Sequence, residues 1–285
     1  YVINLAIRQQ PEAAIQLLNR VPPLTSEYPL TQILYNRALA ETGISAFRTG
    51  NYVLCYDLLG CIKYDCKKRE RFSFANDRLG QTPAIYPPWQ FINPKVLDVF
   101  FYVSAMILDL SYYTSHTLDL EVEPPLNFQD HKTFLETLNS PSTQSLLDTI
   151  VLTMEYIKRG DWKSAFDAII GELGHYELPP RFEEDIKCVT LGCYLLSGFK
   201  VYDTVSIELL SDLFALSPEK VIEVTQQFIE GRFPVVGTQS ALEAMLTEDK
   251  KFVSFKQVDV PSPLIAFANI ITPKGAELDS KLASA

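Results

Sequence analysis

The residues in this chain with the right chemistry for a reactive centre are three histidines, five cysteines and one run of three adjacent acids. Their spacing argues against such a centre. His116, His131 and His175 show neither the H-x-H nor the H-x-x-x-H interval that would place two imidazoles on one zinc ion. Cys55, Cys61, Cys66, Cys188 and Cys193 include no C-x-x-C pair. The pairs five residues apart diverge by about 140° around a helix axis. They read as reduced, partly buried thiols of an intracellular protein. Glu183-Glu184-Asp185 puts carboxylates at adjacent positions that point apart, which suits a favourable acidic first turn of a helix starting near Arg181. No G-x-x-x-x-G-K-S/T or G-x-G-x-x-G loop is present to cradle phosphate, and no G-x-S-x-G elbow to expose a serine nucleophile. The expectation is a chain that is not an enzyme, with no metal, no cofactor and no small-molecule substrate.

Binding chemistry is better represented. Lys67, Lys68, Arg69 and Arg71 form a strong basic run, which is either a solvated loop or a contact for RNA or an acidic partner. The whole chain carries a net charge of -10, which disfavours coating phosphate as its main task. A helix expected over Ser217 to Arg232 carries Glu219, Lys220, Glu223, Glu230 and Arg232, a net of -1. A helix that reads a DNA groove needs cationic and amide side chains. Here only Gln226 and Gln227 could meet base edges, with Lys250, Lys251 and Lys256 leaving some scope for a contact with RNA.

The elements that must position these residues are mostly helical. With 285 residues and 47% apolar content, the chain can bury one large core or two small ones. It begins at Tyr1 without a methionine, so a fragment of a longer protein is expected. The most apolar run, Val99 to Leu108, lies between Asp98 and Asp109 and is too short to span a bilayer, which takes about 20 residues. Helical period places a hairpin over Ile3 to Arg20 broken at Pro11, then helices over Thr31 to Thr49, Asn51 to Lys63, Val96 to Tyr113 and Ser142 to Lys158. One arrangement occurs twice. Arg48-Thr49-Gly50-Asn51-Tyr52 followed by Tyr56-Asp57 matches Lys158-Arg159-Gly160-Asp161-Trp162 followed by Phe166-Asp167. A glycine that closes one helix, an Asn or Asp that caps the next, and an aromatic that locks the two together describe a helical hairpin. Stacked hairpins of this kind build right-handed solenoids.

After residue 181 the pattern changes. A helix over Arg181 to Ser197 ends at Gly198. Ser206 is placed to cap a second helix, running through Phe214, with Ile207, Leu210, Leu213 and Phe214 inward. Ser217-Pro218 starts a third with Val221, Val224, Phe228 and Ile229 inward. Two β-like runs follow, Phe233 to Thr238 and Lys251 to Val258, separated by a polar wing at Glu248-Asp249-Lys250. This is the order of a winged helix. The division expected is a helical-repeat part over 1–180, a winged helix over 181–260 and a helical tail over 261–285.

Helical repeats feeding a winged helix resemble the PCI-domain family. The local wording is narrower: Leu34 to Leu39 with Ala46 to Gly50, Ile92-Asn93 with Tyr102 to Leu108, Gly160-Asp161-Trp162-Lys163, and Val201 to Ser206 with Leu209 to Phe214. Together these blocks resemble the C-terminal part of the c-subunit family of eukaryotic translation initiation factor 3. Lys63 to Pro83 and Ser115 to Ser140 depart from that pattern. The resemblance implies a cytoplasmic, non-catalytic scaffold that assembles with other initiation factor 3 subunits, such as the PCI-bearing a-subunit. It also implies contact with the small ribosomal subunit, with rRNA as a further contact, and no membrane. The alternatives are a PCI scaffold of the proteasome lid or the signalosome, and a nucleic-acid-binding winged helix. If winged helices of neighbouring subunits align, the second β run supplies interface residues Lys251, Val253, Phe255 and Gln257, because an open sheet edge accepts a further strand.

Overall fold

A computed structural model describes residues 1–21, 29–64, 92, 94–117, 145–173, 176, 178–198, 202–230 and 244–255. Among these are ten helices and a small antiparallel sheet, so the chain is mostly α. The first part holds α1 (Val2–Ile7), α2 (Pro11–Leu18), α3 (Pro29–Arg48), α4 (Tyr52–Tyr64), α5 (Pro94–Thr117), α6 (Ser145–Lys158) and α7 (Trp162–Leu173). The second holds α8 (Phe182–Gly198), β1 (Thr204–Ser206), α9 (Ile207–Phe214), α10 (Pro218–Ile229), β2 (Ala244–Leu246) and β3 (Phe252–Phe255). Pro11 sits at the first position of α2, where its missing N–H removes no helical hydrogen bond.

The two Gly-Asx turns have one geometry. Gly50 and Gly160 adopt φ of 78° and 79°, in the left-handed region where a side chain is strained. In the first turn the Gly50 N–H donates to the Phe47 carbonyl at 2.9 Å and the Asn51 N–H to Ala46 at 2.8 Å. In the second, Gly160 donates to Ile157 and Asp161 to Tyr156, each at 3.0 Å. Both are Schellman closures of the preceding helix. The side chains of Asn51 and Asp161 then accept from the Leu54 and Ser164 N–H groups at 3.1 Å, capping α4 and α7. The carboxyl of Asp161 is held below its ordinary range, first by its hydrogen bond from the Ser164 side chain.

α3 packs on α4, α4 on α5, and α6 on α7, while the apolar α5 lies against α3, α4, α6 and α8. Aromatic rings join these helices. Phe47 of α3 stacks on Phe100 of α5 with centroids 4.2 Å apart, and Phe182 at the start of α8 lies 6.2 Å from Phe47 and 6.3 Å from Phe166 of α7. Each such ring pair adds roughly 0.5–1.5 kcal/mol beyond the burial itself. One continuous core of buried side chains therefore runs from Leu18 to Phe255.

The winged helix departs from the sequence pattern in two strands. β1 has no counterpart among the expected elements, and the strand before the wing lies at Ala244–Leu246, whereas the expected run at 233–238 is outside the described residues. The sheet order is β1-β3-β2, all antiparallel, with Val205 facing Val253 and Leu246 also facing Val253. β3 is thus the central strand. Leu213 is the other correction. It is 46% exposed, because Ile207, Leu210 and Phe214 fill the inward arc of α9 and position 213 falls to one side of it. α10 has Val221, Val224 and Phe228 buried as expected, and Ser217 caps it by accepting the Lys220 N–H at 3.3 Å.

Candidate docking site

The site is built where the first Gly-Asx turn meets the winged helix. Pro179 and Pro180 lead the chain into α8, whose first turn carries Glu183, Glu184 and Asp185. Carboxylates there face the positive end of the helix dipole. A cleft of about 280 Å³ opens between Thr49-Gly50, that first turn and α10, lined also by Arg181, Cys188, Lys220, Glu223 and Gln227.

Asp185, which also lines the cleft, is held by a hydrogen bond. The Tyr52 hydroxyl, projecting from the start of α4, donates to Asp185 Oδ2 at 2.6 Å. Burial raises the Asp185 carboxyl above its ordinary value, against the opposing pull of the Tyr52 hydrogen bond. Burial likewise pushes the Cys188 thiol up to about 12, which leaves it protonated and unreactive at neutral pH.

The wall formed by α10 has its polar groups engaged within the chain. The Lys220 ammonium lies 3.4 Å from Glu184 and 3.2 Å from Glu223. The Gln226 amide donates to Glu230 and the Gln227 amide to Glu223, each at 3.2 Å. The helix that would enter a groove thus has its one described cation paired with two acids and its two amides turned towards carboxylates. Residues 182–255 hold six Lys or Arg against twelve Asp or Glu, a net charge of -6. Such a surface repels phosphate.

The wing is tightly built. The Lys250 N–H donates to the Thr247 carbonyl at 2.8 Å, and Lys250 itself takes φ 54°. Asp249 accepts from the Thr247 hydroxyl at 2.7 Å and the Lys251 N–H at 3.2 Å, and the first of these bonds leads in lowering its carboxyl pKa.

Of the residues singled out in the sequence, Lys251 is exposed at this turn, whereas Val253 is wholly buried and Phe255 is 5% exposed. Their side chains belong to the core, and the β3 backbone is paired on both sides. Among the described residues the outer edges of the sheet are those of β1 and β2. Gln257 and the basic run Lys67, Lys68, Arg69 and Arg71 lie outside the described residues. The exposed apolar residues of the sheet are Met245 at 72% and Phe252 at 43%, neither of which stands out in the sequence. The alternation Phe252 out, Val253 in is their available signal.

The second repeat also reaches the winged helix. The Trp162 indole N–H donates to the Leu213 carbonyl at 3.1 Å, and Lys187 stands over the ring at 4.3 Å from its centre. Tyr52 and Trp162, equivalent in the two turns, thus tie both hairpins to the winged helix, a role beyond the expected lock within each hairpin. Among the described residues no cluster of three or more His, Cys, Asp or Glu side chains is placed to hold a metal, and no helix is long and apolar enough to cross a membrane.

No family model matches the chain. Individual proteins do. It is 27% identical over 229 residues to the C-subunit of eukaryotic translation initiation factor 3 from Culex quinquefasciatus, covering 70% of this chain and 25% of that protein. The C-subunit from Danio rerio is 27% identical over 226 residues, 70% of this chain and 24% of its own length. That from Vanderwaltozyma polyspora is 23% identical over 249 residues, 79% of this chain and 30% of its own length. The chain spans about a quarter of the length of the first two of these curated relatives. Across these matches, and with a mostly α fold that includes a small antiparallel sheet, the chain is similar to the C-terminal part of the C-subunit of eukaryotic translation initiation factor 3.

Proposed function

We propose that this chain is a non-catalytic scaffold of translation initiation. In this reading it works in the cytoplasm, assembles with other subunits of initiation factor 3, including the PCI-bearing a-subunit, and binds the small (40S) ribosomal subunit in the 43S pre-initiation complex. The observation that carries the reading is the similarity to the C-subunit of that factor over 70% or more of the chain. The winged helix supports it physically. The helix in the recognition position is acidic, with Lys220 paired to Glu184 and Glu223, while among the described residues β1 and β2 are the outer strands of the sheet, to which a neighbouring subunit can add a strand. Lys251 flanks that sheet at the wing, and Lys67, Lys68, Arg69 and Arg71 supply the positive charge suited to rRNA or an acidic partner.

The test is fractionation. Tagged protein from cells is run on a sucrose gradient, and the co-purifying chains are identified by mass spectrometry. The expected result is co-sedimentation with small ribosomal subunits and recovery of other initiation factor 3 subunits. Recovery with proteasome-lid or signalosome subunits, and none with ribosomal particles, would overturn the reading.

A further inference from the structure

We propose that the outward face of α9 is a docking surface for a cationic amphipathic helix of a partner protein. Leu209 is 57% exposed and Leu213 is 46% exposed. They stand one turn apart on the same side of the helix. Glu208 and Asp212 precede them by one residue each and form a parallel acidic stripe about 100° further round the axis. No basic residue occurs in Ile207–Phe214. An isolated exposed leucine needs no explanation, but a paired apolar stripe beside a paired acidic stripe is a two-part surface.

The face is held rigid before any partner arrives. The Trp162 indole N–H donates to the Leu213 carbonyl at 3.1 Å, the Lys187 ammonium to the Ala215 carbonyl at 3.4 Å, and the Ser211 hydroxyl to the Leu216 carbonyl at 2.6 Å. Little order is left to impose on binding, which favours affinity. Charge selects the occupant. A helix with apolar residues at i and i+4 and lysine or arginine beside them meets both stripes, whereas an acidic helix would set like charges together. The net charge of -6 over residues 182–255, six basic against twelve acidic side chains, steers a cationic segment to the same region. This goes beyond the translation reading, because the chemistry of the face is the same whichever assembly holds the chain, and it is distinct from strand addition at the sheet edges.

The experiment uses the 285-residue chain and a fluorescein-labelled synthetic helix of leucines and lysines, with anisotropy as the readout. A second peptide has glutamate in place of every lysine. The expected result is saturable binding of the lysine peptide, weakened about tenfold or more by Leu209→Gln with Leu213→Gln and again by Glu208→Lys with Asp212→Lys. The glutamate peptide should bind only the charge-reversed chain. Equal binding of the lysine peptide to the parent and both variants, or no saturable binding, overturns the proposal. All four residues are exposed, so both variants should melt within about 2 °C of the parent. A larger fall for the glutamine variant would mean that the chain itself already covers the leucines, which also overturns it.

Discussion

Tyr52 and Asp185 show how one hydrogen bond carries the contact between a repeat turn and the winged helix. The phenol and carboxylate are 2.6 Å apart and both are drawn from water. Tyr52→Phe keeps the ring and removes the donor, leaving a half-buried carboxylate without its main partner. A loss of roughly 1.5–3 kcal/mol is expected, read from urea midpoints. Asp185→Asn separates charge from geometry, since the amide oxygen still accepts from Tyr52. Burial holds the Asp185 carboxyl above its unfolded value. The folded chain therefore takes up this proton first, and the group adds stability as pH falls through its folded value towards the unfolded one. In its ionised form the buried carboxylate is a cost. The stability of the parent minus that of Asp185→Asn should accordingly rise as pH falls towards the unfolded value of about 4. A difference that stays level with pH would mean that the carboxyl is not raised by folding.

The helical hairpins test the same logic one scale up. Gly50→Ala should cost about 1–2 kcal/mol, the penalty for a side chain in the left-handed region. Gly160→Ala should cost more, because its Cβ would stand 3.3 Å from Tyr194 Cδ2, against 3.8 Å from Asp185 Oδ2 at Gly50. Equal melting shifts for the two would contradict the crowding at Tyr194. Trp162→Ala should cost about 3–5 kcal/mol as a buried ring is lost. Trp162→Phe should cost about 1 kcal/mol, the value of the hydrogen bond to Leu213. These turns are legible in the sequence because their chemistry is local: Gly, Asx and aromatic at fixed offsets act within a few residues. The capping Ser217-Pro218 is legible for the same reason. The strands are not. Thr204-Val205-Ser206 is too short for a period-2 signal and exists as a strand only because β3 pairs with it. The placement of Val253 and Phe255 depends on β3 being central, which no local pattern states. That Tyr52 and Trp162 reach into the winged helix is equally hidden, since their partners lie 133 and 51 residues away.

At the scale of the whole molecule, α8 decides how the two parts behave. It packs on α5, α6 and α7 on one side and on α9 and α10 on the other, with Phe182, Ile186, Val189, Cys193 and Leu196 all buried. A boundary placed just before it would strip Phe182 of Phe47 and Phe166 and leave Asp185 without Tyr52. The apolar surface so exposed belongs to rings whose full burial is worth roughly 1.5–3 kcal/mol each. A small winged helix has little stability to set against that loss, because small units bury a lower fraction of their surface. The described residues should therefore unfold together. Calorimetry of the 285-residue chain should give one transition whose van't Hoff and calorimetric enthalpies agree. Trp162→Ala, which cuts the second tie to the winged helix, should lower that single transition rather than split it. Two resolved transitions in the parent chain would show that α8 serves one side only, and that the helical repeats and the winged helix are stabilised independently.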